Sequence, residues 1–346
     1  MRNLTFFLIA SVLVLSGCRK EAEKPVKEKP SVVEVEEREV VEKPHQYPLT
    51  GLPIDEEVTE RSIAVTISNS PEARPQTGLT QADWVFEFYA EGSTTRFLAL
   101  FQSEEAGKIG PIRSARKYFI DTAKGYGSFY VAHGYSIEAE RMLTNREIDH
   151  INGMAYDRTL FQRSSDRVAP HNSYISFEDI LLGAEKVDAS MKGETPVYQF
   201  LNEEELAAFG EVGEKATVVF INYQDSTFSP TYRYDKEMKK YERFVREVRT
   251  EEKETGDPVQ LDNILILEMP HGHSLEKASL RTIDVEAGGN GYLLQHGRLQ
   301  RIEWQNIDGK ITPMLNDQEV KLVPGKTWVN VIPSQPGLDS LVKVDE

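Results

Sequence analysis

The sequence predicts an α+β protein of two domains behind an N-terminal export signal. The chain has 346 residues, 39% of them apolar, which is more than the roughly 100–200 residues of one ordinary domain. Strand-like and helix-like patterns are mixed up to about residue 210, and short β-type runs separated by Gly, Asp, Asn and Pro follow. We therefore expect a mixed α/β domain with a helix-flanked sheet over 49–210 and a β-rich domain over 211–346.

The N-terminus has the form of a bacterial lipoprotein signal peptide over residues 1–17. A short positive start, Met1-Arg2-Asn3, precedes an apolar run over 4–15 and the sequence Leu15-Ser16-Gly17-Cys18. The run is shorter than the about 20 residues that span a membrane. Small residues before a cysteine match a lipobox, which predicts a diacylglyceryl group with chains such as palmitate on Cys18. An ordinary secretory peptide with a chance cysteine is the alternative.

The segment 18–48 is predicted to be the lipid anchor followed by a disordered tether. Half of residues 19–48 are charged, with both signs mixed, and four are proline. Such a composition buries too little apolar surface to order itself. We therefore expect a flexible linker to connect the folded domains to the membrane anchor.

Composition also excludes several classes of protein. Cys18 is the only cysteine in the chain, which excludes an internal disulfide framework and Cys-rich metal sites. The net charge of −16 argues against a nucleic-acid partner, because phosphate binding needs a Lys/Arg excess. The pair His271 and His273 lacks a visible third ligand, so we expect neither a metal nor another cofactor.

The first predicted strand is Ile63–Asn69, and residues 83–100 read as a β-hairpin around Gly92-Ser93. A two-residue turn there would pair Glu91 with Thr94. Continued without interruption, this register places four polar side chains on one face of the sheet and the aromatic residues on the other. The four polar residues are Glu87, Tyr89, Glu91 and Arg96.

Helices are predicted after capping residues. Gly110-Pro111 is expected to open a helix running to about Lys124, since proline suits the first helical position. Its N-terminus would offer free amide groups to an anion. Ser136, Ser176 and Asn202 are predicted N-caps of three further helices.

Several motifs together resemble the YerB family of lipoproteins of Gram-positive bacteria. The motifs are Ala73-Arg74-Pro75-Gln76, Glu91-Gly92-x-x-Thr95-Arg96-Phe97, Ile109-Gly110-Pro111-Ile112-Arg113-Ser114-Ala115-Arg116, Ala169-Pro170-His171-Asn172 and Pro324-Gly325-Lys326-Thr327-Trp328. The resemblance implies a membrane-tethered, extracytoplasmic protein of two domains. It brings no assigned reaction.

Arginines concentrated in the first domain are the strongest candidates for a binding site. Arginine binds carboxylate or phosphate groups through two parallel hydrogen bonds. The predicted ligand-binding residues are Arg74, Arg96, Arg113, Arg116, His133, Arg163, His171 and Asn172. The alternative is that these arginines form structural ion pairs with Glu87, Glu91 and other acids.

The predicted function is binding of an envelope component or a partner protein on the extracytoplasmic side of the cell membrane, through a cleft for anions. A hydrolase or transferase acting on an anionic wall polymer is the alternative. Its general acid and base would come from Glu87, Glu91 and His171. The sequence favours the binding protein, because no nucleophile motif is present.

Overall fold

A computed structural model describes residues 43–210 and 212–345. The predicted signal peptide over 1–17, the lipidation site Cys18 and most of the predicted tether lie outside these residues. Within the described part of the chain, no helix has the length and apolar character required to cross a membrane.

The first half of the chain alternates strands with helices. Its strands are β1 (His45–Gln46), β2 (Pro53–Ile54), β3 (Ile63–Ser68), β4 (Trp84–Glu91), β5 (Thr94–Phe101), β6 (Phe129–Ala132), β7 (His150–Asn152), β8 (Gln162–Arg163) and β9 (Ser173–Tyr174). Its helices are α1 (Lys117–Gly125), α2 (Ile137–Thr144), α3 (Gly153–Tyr156), α4 (Phe177–Lys186) and α5 (Glu203–Ala207).

The second half is mostly β-structure with one short helix near its end, α6 (Leu338–Leu341). Its strands are β10 (Glu214–Lys215), β11 (Val218–Ile221), β12 (Pro230–Asp235), β13 (Lys240–Val245), β14 (Val248–Arg249), β15 (Gln260–Leu261), β16 (Asn263–Met269), β17 (His271–His273), β18 (Arg281–Ile283), β19 (Gly289–Gln295), β20 (Arg298–Ile307), β21 (Lys310–Leu315), β22 (Gln318–Glu319), β23 (Thr327–Pro333) and β24 (Val342–Asp345). The predicted α+β class is confirmed.

Strands from both halves form one sheet. Its order is β22-β21-β20-β19-β16-β23-β4-β5-β3-β6-β7, with β10 paired to β20. The late strand β23 runs parallel to β4 on one side and to β16 on the other. The described parts of the two predicted domains are therefore joined by main-chain hydrogen bonds, and residues 43–210 and 212–345 belong to one compact unit.

A second sheet has the order β14-β13-β12-β11-β24, with β15 paired to β13. Its strand β13 alternates buried and half-buried residues, and Tyr241, Arg243 and Val245 are the buried ones. This period of two identifies the face of β13 that is covered by the rest of the protein. Arg243 is thus an arginine at a core position.

The hairpin of β4 and β5 confirms the predicted turn and corrects the predicted register. Glu91 pairs with Thr94 as expected, but a β-bulge between Tyr89 and Glu91 shifts the pairing, so that Glu87 lies opposite Phe97. An extra residue in one strand reverses the alternation of side chains beyond it. Glu87 and Glu91 therefore point to opposite faces of the sheet, and the prediction of one shared polar face is wrong.

The predicted helix start at Gly110-Pro111 is also wrong. Residues 109–112 form isolated β-bridges with distant segments instead of a helical turn. The amide of Gly110 donates to the Thr77 carbonyl at 3.0 Å, and a Cβ at Gly110 would lie only 2.7 Å from the ring of Tyr174. Glycine is required there by close packing, not by a helix terminus.

Helix α1 begins at Lys117, and Arg116 is its N-cap residue without a side-chain capping bond. The Arg113 amide donates to the Thr66 carbonyl at 2.9 Å. The three predicted N-caps are confirmed at Ser136, Ser176 and Asn202, whose side chains accept hydrogen bonds from the third residue of α2, α4 and α5.

A buried ion pair joins the two sheets. Glu87 of β4 accepts two hydrogen bonds from Arg243 of β13, at 2.9 and 3.1 Å, and the two side chains are 0% and 1% exposed. Thr95 and Asn69 donate to the same carboxylate at 2.7 and 3.1 Å. The Trp328 indole completes the set at 3.3 Å.

Replacing Glu87 tests this ion pair. In Glu87→Gln the Arg243 guanidinium is left buried without its counter-charge, so we expect the free energy of unfolding to fall by about 3–5 kcal/mol. Urea denaturation followed by tryptophan fluorescence measures it. The control Glu242→Gln, on the other face of β13 with a 3.8 Å contact to Arg249, should change stability by less than about 1 kcal/mol. Equal losses in the two variants would contradict the assignment.

Candidate functional site

Three arginines and one carboxylate form the candidate site, which we call the arginine cluster: Glu91, Arg96, Arg113 and Arg116. The carboxylate Oε1 of Glu91 accepts from Arg96 at 2.9 Å and from Arg116 at 2.6 Å. Arg96 reaches it from β5, and Arg116 reaches it from the start of α1. The bulge in β4 makes this possible, because it turns Glu91 to the face that carries Arg96.

The arginine cluster has more positive than negative charge. Burial lowers the pKa of Arg113, and the nearby charges of Glu91, which raises it, and Arg116, which lowers it, leave a net lowering. Among the residues that the structure describes, no carboxylate forms an ion pair with Arg113 within 4.0 Å. Two of the three guanidinium groups thus share the carboxylate of Glu91, and the third, that of Arg113, has no carboxylate of its own.

Arg96 shows the effect of this imbalance. Its side chain is 3% exposed, and its Nη1 atom is buried without a hydrogen-bond partner in the described part of the protein. Burial, followed by Arg116 and Arg113, lowers the pKa of Arg96 to about 10. A buried donor without an acceptor costs about 1–3 kcal/mol. An anion that entered the cluster would remove this cost.

Arg113 is the accessible member of the cluster. Its main chain is held by β3, and its Nη1 donates to the Pro170 carbonyl at 3.2 Å. His171 follows Pro170, and its Nδ1 lies 3.4 Å from Ser68 Oγ. Burial, and next the charge of Arg113, lowers the pKa of His171, which keeps the ring neutral at pH 7.

The second histidine belongs to a chain of polar contacts beside the cluster. His133 Nδ1 lies 2.7 Å from Ser173 Oγ, and its Nε2 lies 3.0 Å from Arg163. Arg163 also binds Asn172 at 3.1 Å and Asp157 at 2.8 Å. Burial, then Arg163, lowers the pKa of His133. Since Arg163 is paired with a carboxylate, it adds no free charge to the cluster.

Arg74 lies apart from the other predicted site residues. It donates to the Asn69 carbonyl at 2.7 Å and to the Thr227 carbonyl at 2.8 Å. Arg167, which is distant in sequence, donates to the carbonyl groups of Ala73 and Pro75 on either side of Arg74. These contacts place Arg74 on the side of the hairpin that carries Glu87.

Glu87 and Glu91, the two carboxylates predicted for the catalytic alternative, do not face the same cleft. Glu87 is fully buried in its ion pair with Arg243, whereas Glu91 is partly exposed among the arginines on the opposite face. Acid–base catalysis of glycosidic hydrolysis needs two carboxyl groups about 5–10 Å apart around one bond. The geometry therefore does not supply that pair.

Arg243 is a residue that the sequence reading missed. The signal was the alternation Tyr241-x-Arg243-x-Val245, which places Arg243 on the buried face of a strand. A buried guanidinium needs a carboxylate, but the sequence does not reveal that the partner is Glu87, 156 residues away.

The pair His271 and His273 divides between two environments. His271 is packed edge-on against Tyr89, and its Nδ1 lies 2.8 Å from the Met269 carbonyl. His273 is exposed, with Nδ1 2.8 Å from the Ala278 carbonyl. Within residues 43–210 and 212–345, no group of three His, Cys, Asp or Glu side chains could hold a metal ion.

Comparisons with known proteins find relatives over most of the chain. Residues 49–190 and 219–329 match the N-terminal and C-terminal domains of a family described as protein of unknown function (DUF3048). The Bacillus subtilis (strain 168) protein named "Putative lipoprotein YerB" is 40% identical over 289 residues, covering 83% of this chain and 86% of that protein. The crystal structure of YerB protein from Bacillus subtilis has 38% identity and a TM-score of 0.79, over 87% of this chain and 100% of the other.

Removing the carboxylate of the cluster should make the protein sensitive to anions. In Glu91→Gln the three guanidinium charges repel each other without compensation, so we expect a loss of about 1–2 kcal/mol in the free energy of unfolding at low salt. Adding 50 mM phosphate should restore more stability to this variant than to the parent protein. The exposed Glu185→Gln on α4 is the control, and an equal phosphate effect in both variants would count against the cluster.

The environment of His271 predicts a pH dependence of stability. Burial, assisted by Arg281, lowers the pKa of His271 to about 4, below the value of about 6.5 in an unfolded chain. The resulting stabilisation is present above pH 6.5 and is lost as the pH falls toward 4. Between pH 7 and 4.5, His271→Asn should lose about 2 kcal/mol less stability than the parent protein. The exposed His273→Asn should behave like the parent, and no difference between the variants would contradict this environment.

Proposed function

The chain belongs to the family of lipoproteins represented by YerB, and from that premise we propose that it is anchored to the cell membrane through Cys18 and binds an anionic component of the envelope on the extracytoplasmic side. The lipobox motif and the lipoprotein name of the relative support the anchor. The arginine cluster supports the binding activity.

The observation that carries the proposal is the uncompensated charge of the cluster. Arg96 and Arg116 pair with the carboxylate of Glu91, Arg113 lies nearby without a counter-charge, and the Nη1 atom of Arg96 is buried without an acceptor in the described part of the chain. Buried charges are ordinarily paired, because desolvation of an unpaired ion costs several kcal/mol. A site with two excess cations, in which Arg96 and Arg116 are buried and Arg113 is accessible, is suited to an anion.

The chemistry of the cluster suits a phosphate or a carboxylate group. Guanidinium groups donate two parallel hydrogen bonds to either anion. His171 and Ser68 lie at the edge of the cluster beside Arg113 and add further polar groups. His171 is neutral at pH 7, so it can donate one hydrogen bond without further charge.

Binding accounts for the geometry better than catalysis does. The Glu87 carboxylate is held by four side-chain donors on the other face of the sheet, which leaves Glu91 as the carboxylate of the cluster. Glu91 forms ion pairs with two arginines, and Arg96 and Arg116 lower its pKa against the effect of burial. Such a carboxylate stays ionised at neutral pH and is a poor general acid.

Substitution of Arg113 tests the proposed function. Arg113→Gln removes the accessible guanidinium, and we expect the dissociation constant for inorganic phosphate to rise at least tenfold, in line with the loss of about 1.5–3 kcal/mol for a charged hydrogen bond. Isothermal titration calorimetry on the full chain in phosphatidylcholine nanodiscs measures it. A parallel titration with acetate separates phosphate from carboxylate preference.

Arg141→Gln is the matched control, because Arg141 is an exposed arginine of α2 outside the cluster. It should bind phosphate as the parent protein does. Equal phosphate affinity in Arg113→Gln and the parent, with both variants folded by circular dichroism, would refute the proposed site.

A further inference from the structure

A cavity of about 300 Å³ lies between the loop that follows β3 and the β13–β14 hairpin. The volume is at the lower end of the range of about 300–1,000 Å³ for small-molecule sites. Its walls come from both halves of the chain, from residues 69–76 and from residues 243–251. The cavity is on the Glu87 side of the β4–β5 hairpin, whereas the arginine cluster is on the other side.

Part of the cavity wall is apolar. Pro71 and Pro75 contribute to it from the loop, and Val245 and Val248 contribute from β13 and β14. Val248 is 71% exposed, so it stands at the opening, while Val245 is buried. An apolar wall of this size favours a ligand with a hydrocarbon portion, because its burial is worth about 0.8 kcal/mol for each CH₂.

Cations complete the wall. Arg74 uses its Nε and Nη2 to donate to carbonyl oxygens of Asn69 and Thr227. Arg246 donates to the hydroxyl groups of Ser226 and Thr227, at 2.9 and 2.7 Å. In the described part of the chain neither arginine forms an ion pair within 4.0 Å, and their hydrogen bonds to the protein use Nε and Nη2.

Three further charged residues line the cavity: Arg243, Arg249 and Glu251. Arg249 is only weakly compensated, since Glu242 lies 3.8 Å away, and Glu251 is the carboxylate of the cavity wall. Arg243 forms the inner wall, and its Nε atom is buried without a partner although its Nη2 binds Glu87. Burial, then the charge of Arg243, lowers the pKa of Arg74 to about 10. Positive charge therefore dominates the cavity.

We propose that this cavity is a second binding site, for a small amphiphilic anion with a hydrocarbon portion and one carboxylate or phosphate group. The hydrocarbon portion packs against the prolines and valines, and the anionic group pairs with Arg74 and Arg246. A fatty acid and an alkyl phosphate share this chemistry. The site is independent of the arginine cluster, because the two lie on opposite faces of the hairpin.

Calorimetric titration of the full chain in phosphatidylcholine nanodiscs tests the proposal, with empty nanodiscs as the blank. The probes are hexanoate, hexyl phosphate, 1-hexanol and inorganic phosphate, the last with Arg113→Gln so that the arginine cluster does not contribute. We expect binding of hexanoate or hexyl phosphate at least tenfold tighter than that of 1-hexanol or inorganic phosphate. The stronger of the two anions identifies the head group.

Two variants locate the binding site. Arg246→Gln should weaken binding of the preferred amphiphile at least fivefold, and it should leave folding intact because Arg246 contacts only surface hydroxyl groups. Val245→Phe should also weaken binding, because the larger side chain occupies part of the cavity. Arg233→Gln is the matched control, an arginine of the same sheet that pairs with Glu247 outside the cavity.

Three outcomes would contradict the proposed second site. Failure of both amphiphiles to bind, equal binding of 1-hexanol, or unchanged affinity in Arg246→Gln with the fold intact would overturn the second site. None of these outcomes affects the arginine cluster, whose test uses Arg113→Gln and inorganic phosphate. Conversely, Arg113→Gln should bind hexanoate and hexyl phosphate as the parent protein does.

Discussion

The buried ion pair of Glu87 and Arg243 is the constraint around which the molecule is organised. It connects the central strand β4 of the large sheet to β13 of the second sheet, with both side chains out of water. A charge in such a position is tolerated only when the counter-charge and the remaining lone pairs are satisfied. Thr95, Asn69 and Trp328 provide those bonds, and Phe97 and Trp328 lie against the guanidinium at 5.5 and 5.1 Å. The two halves of the chain are thereby held in one arrangement.

The β-bulge next to this pair gives the hairpin two different faces. Phe88 lies against Tyr118 and Phe119 of α1, and Glu91 and Arg96 continue that face toward the arginine cluster. Glu87 and Phe97 belong to the face that meets the second sheet. One inserted residue therefore separates the buried carboxylate of Glu87 from the carboxylate of the arginine cluster.

The arginine cluster is a region of positive charge in a protein whose net charge is negative. The chain carries a net charge of −16, yet Arg96, Arg113 and Arg116 lie near one carboxylate, that of Glu91, which pairs with Arg96 and Arg116. At physiological ionic strength charges are screened over about 8 Å, so the distant acidic surface has little effect at a partly buried group of arginines. Under the proposed function, selectivity for an anion would therefore rest on the fixed geometry of the cluster rather than on the overall field.

The hairpin turn at Gly92-Ser93 and the helix caps at Ser136, Ser176 and Asn202 could be predicted from the sequence, because each depends on residues within a few positions of one another. The pairing of Glu87 with Arg243 could not, since 156 residues separate them. Neither could the extended path of residues 109–115, whose amides bind carbonyl groups of remote segments.

Sequence motifs placed the candidate arginines in one half of the chain. Only the tertiary structure decided which of them keep an uncompensated charge, because a carboxylate neutralises the arginine that it reaches in space, whatever their separation along the chain.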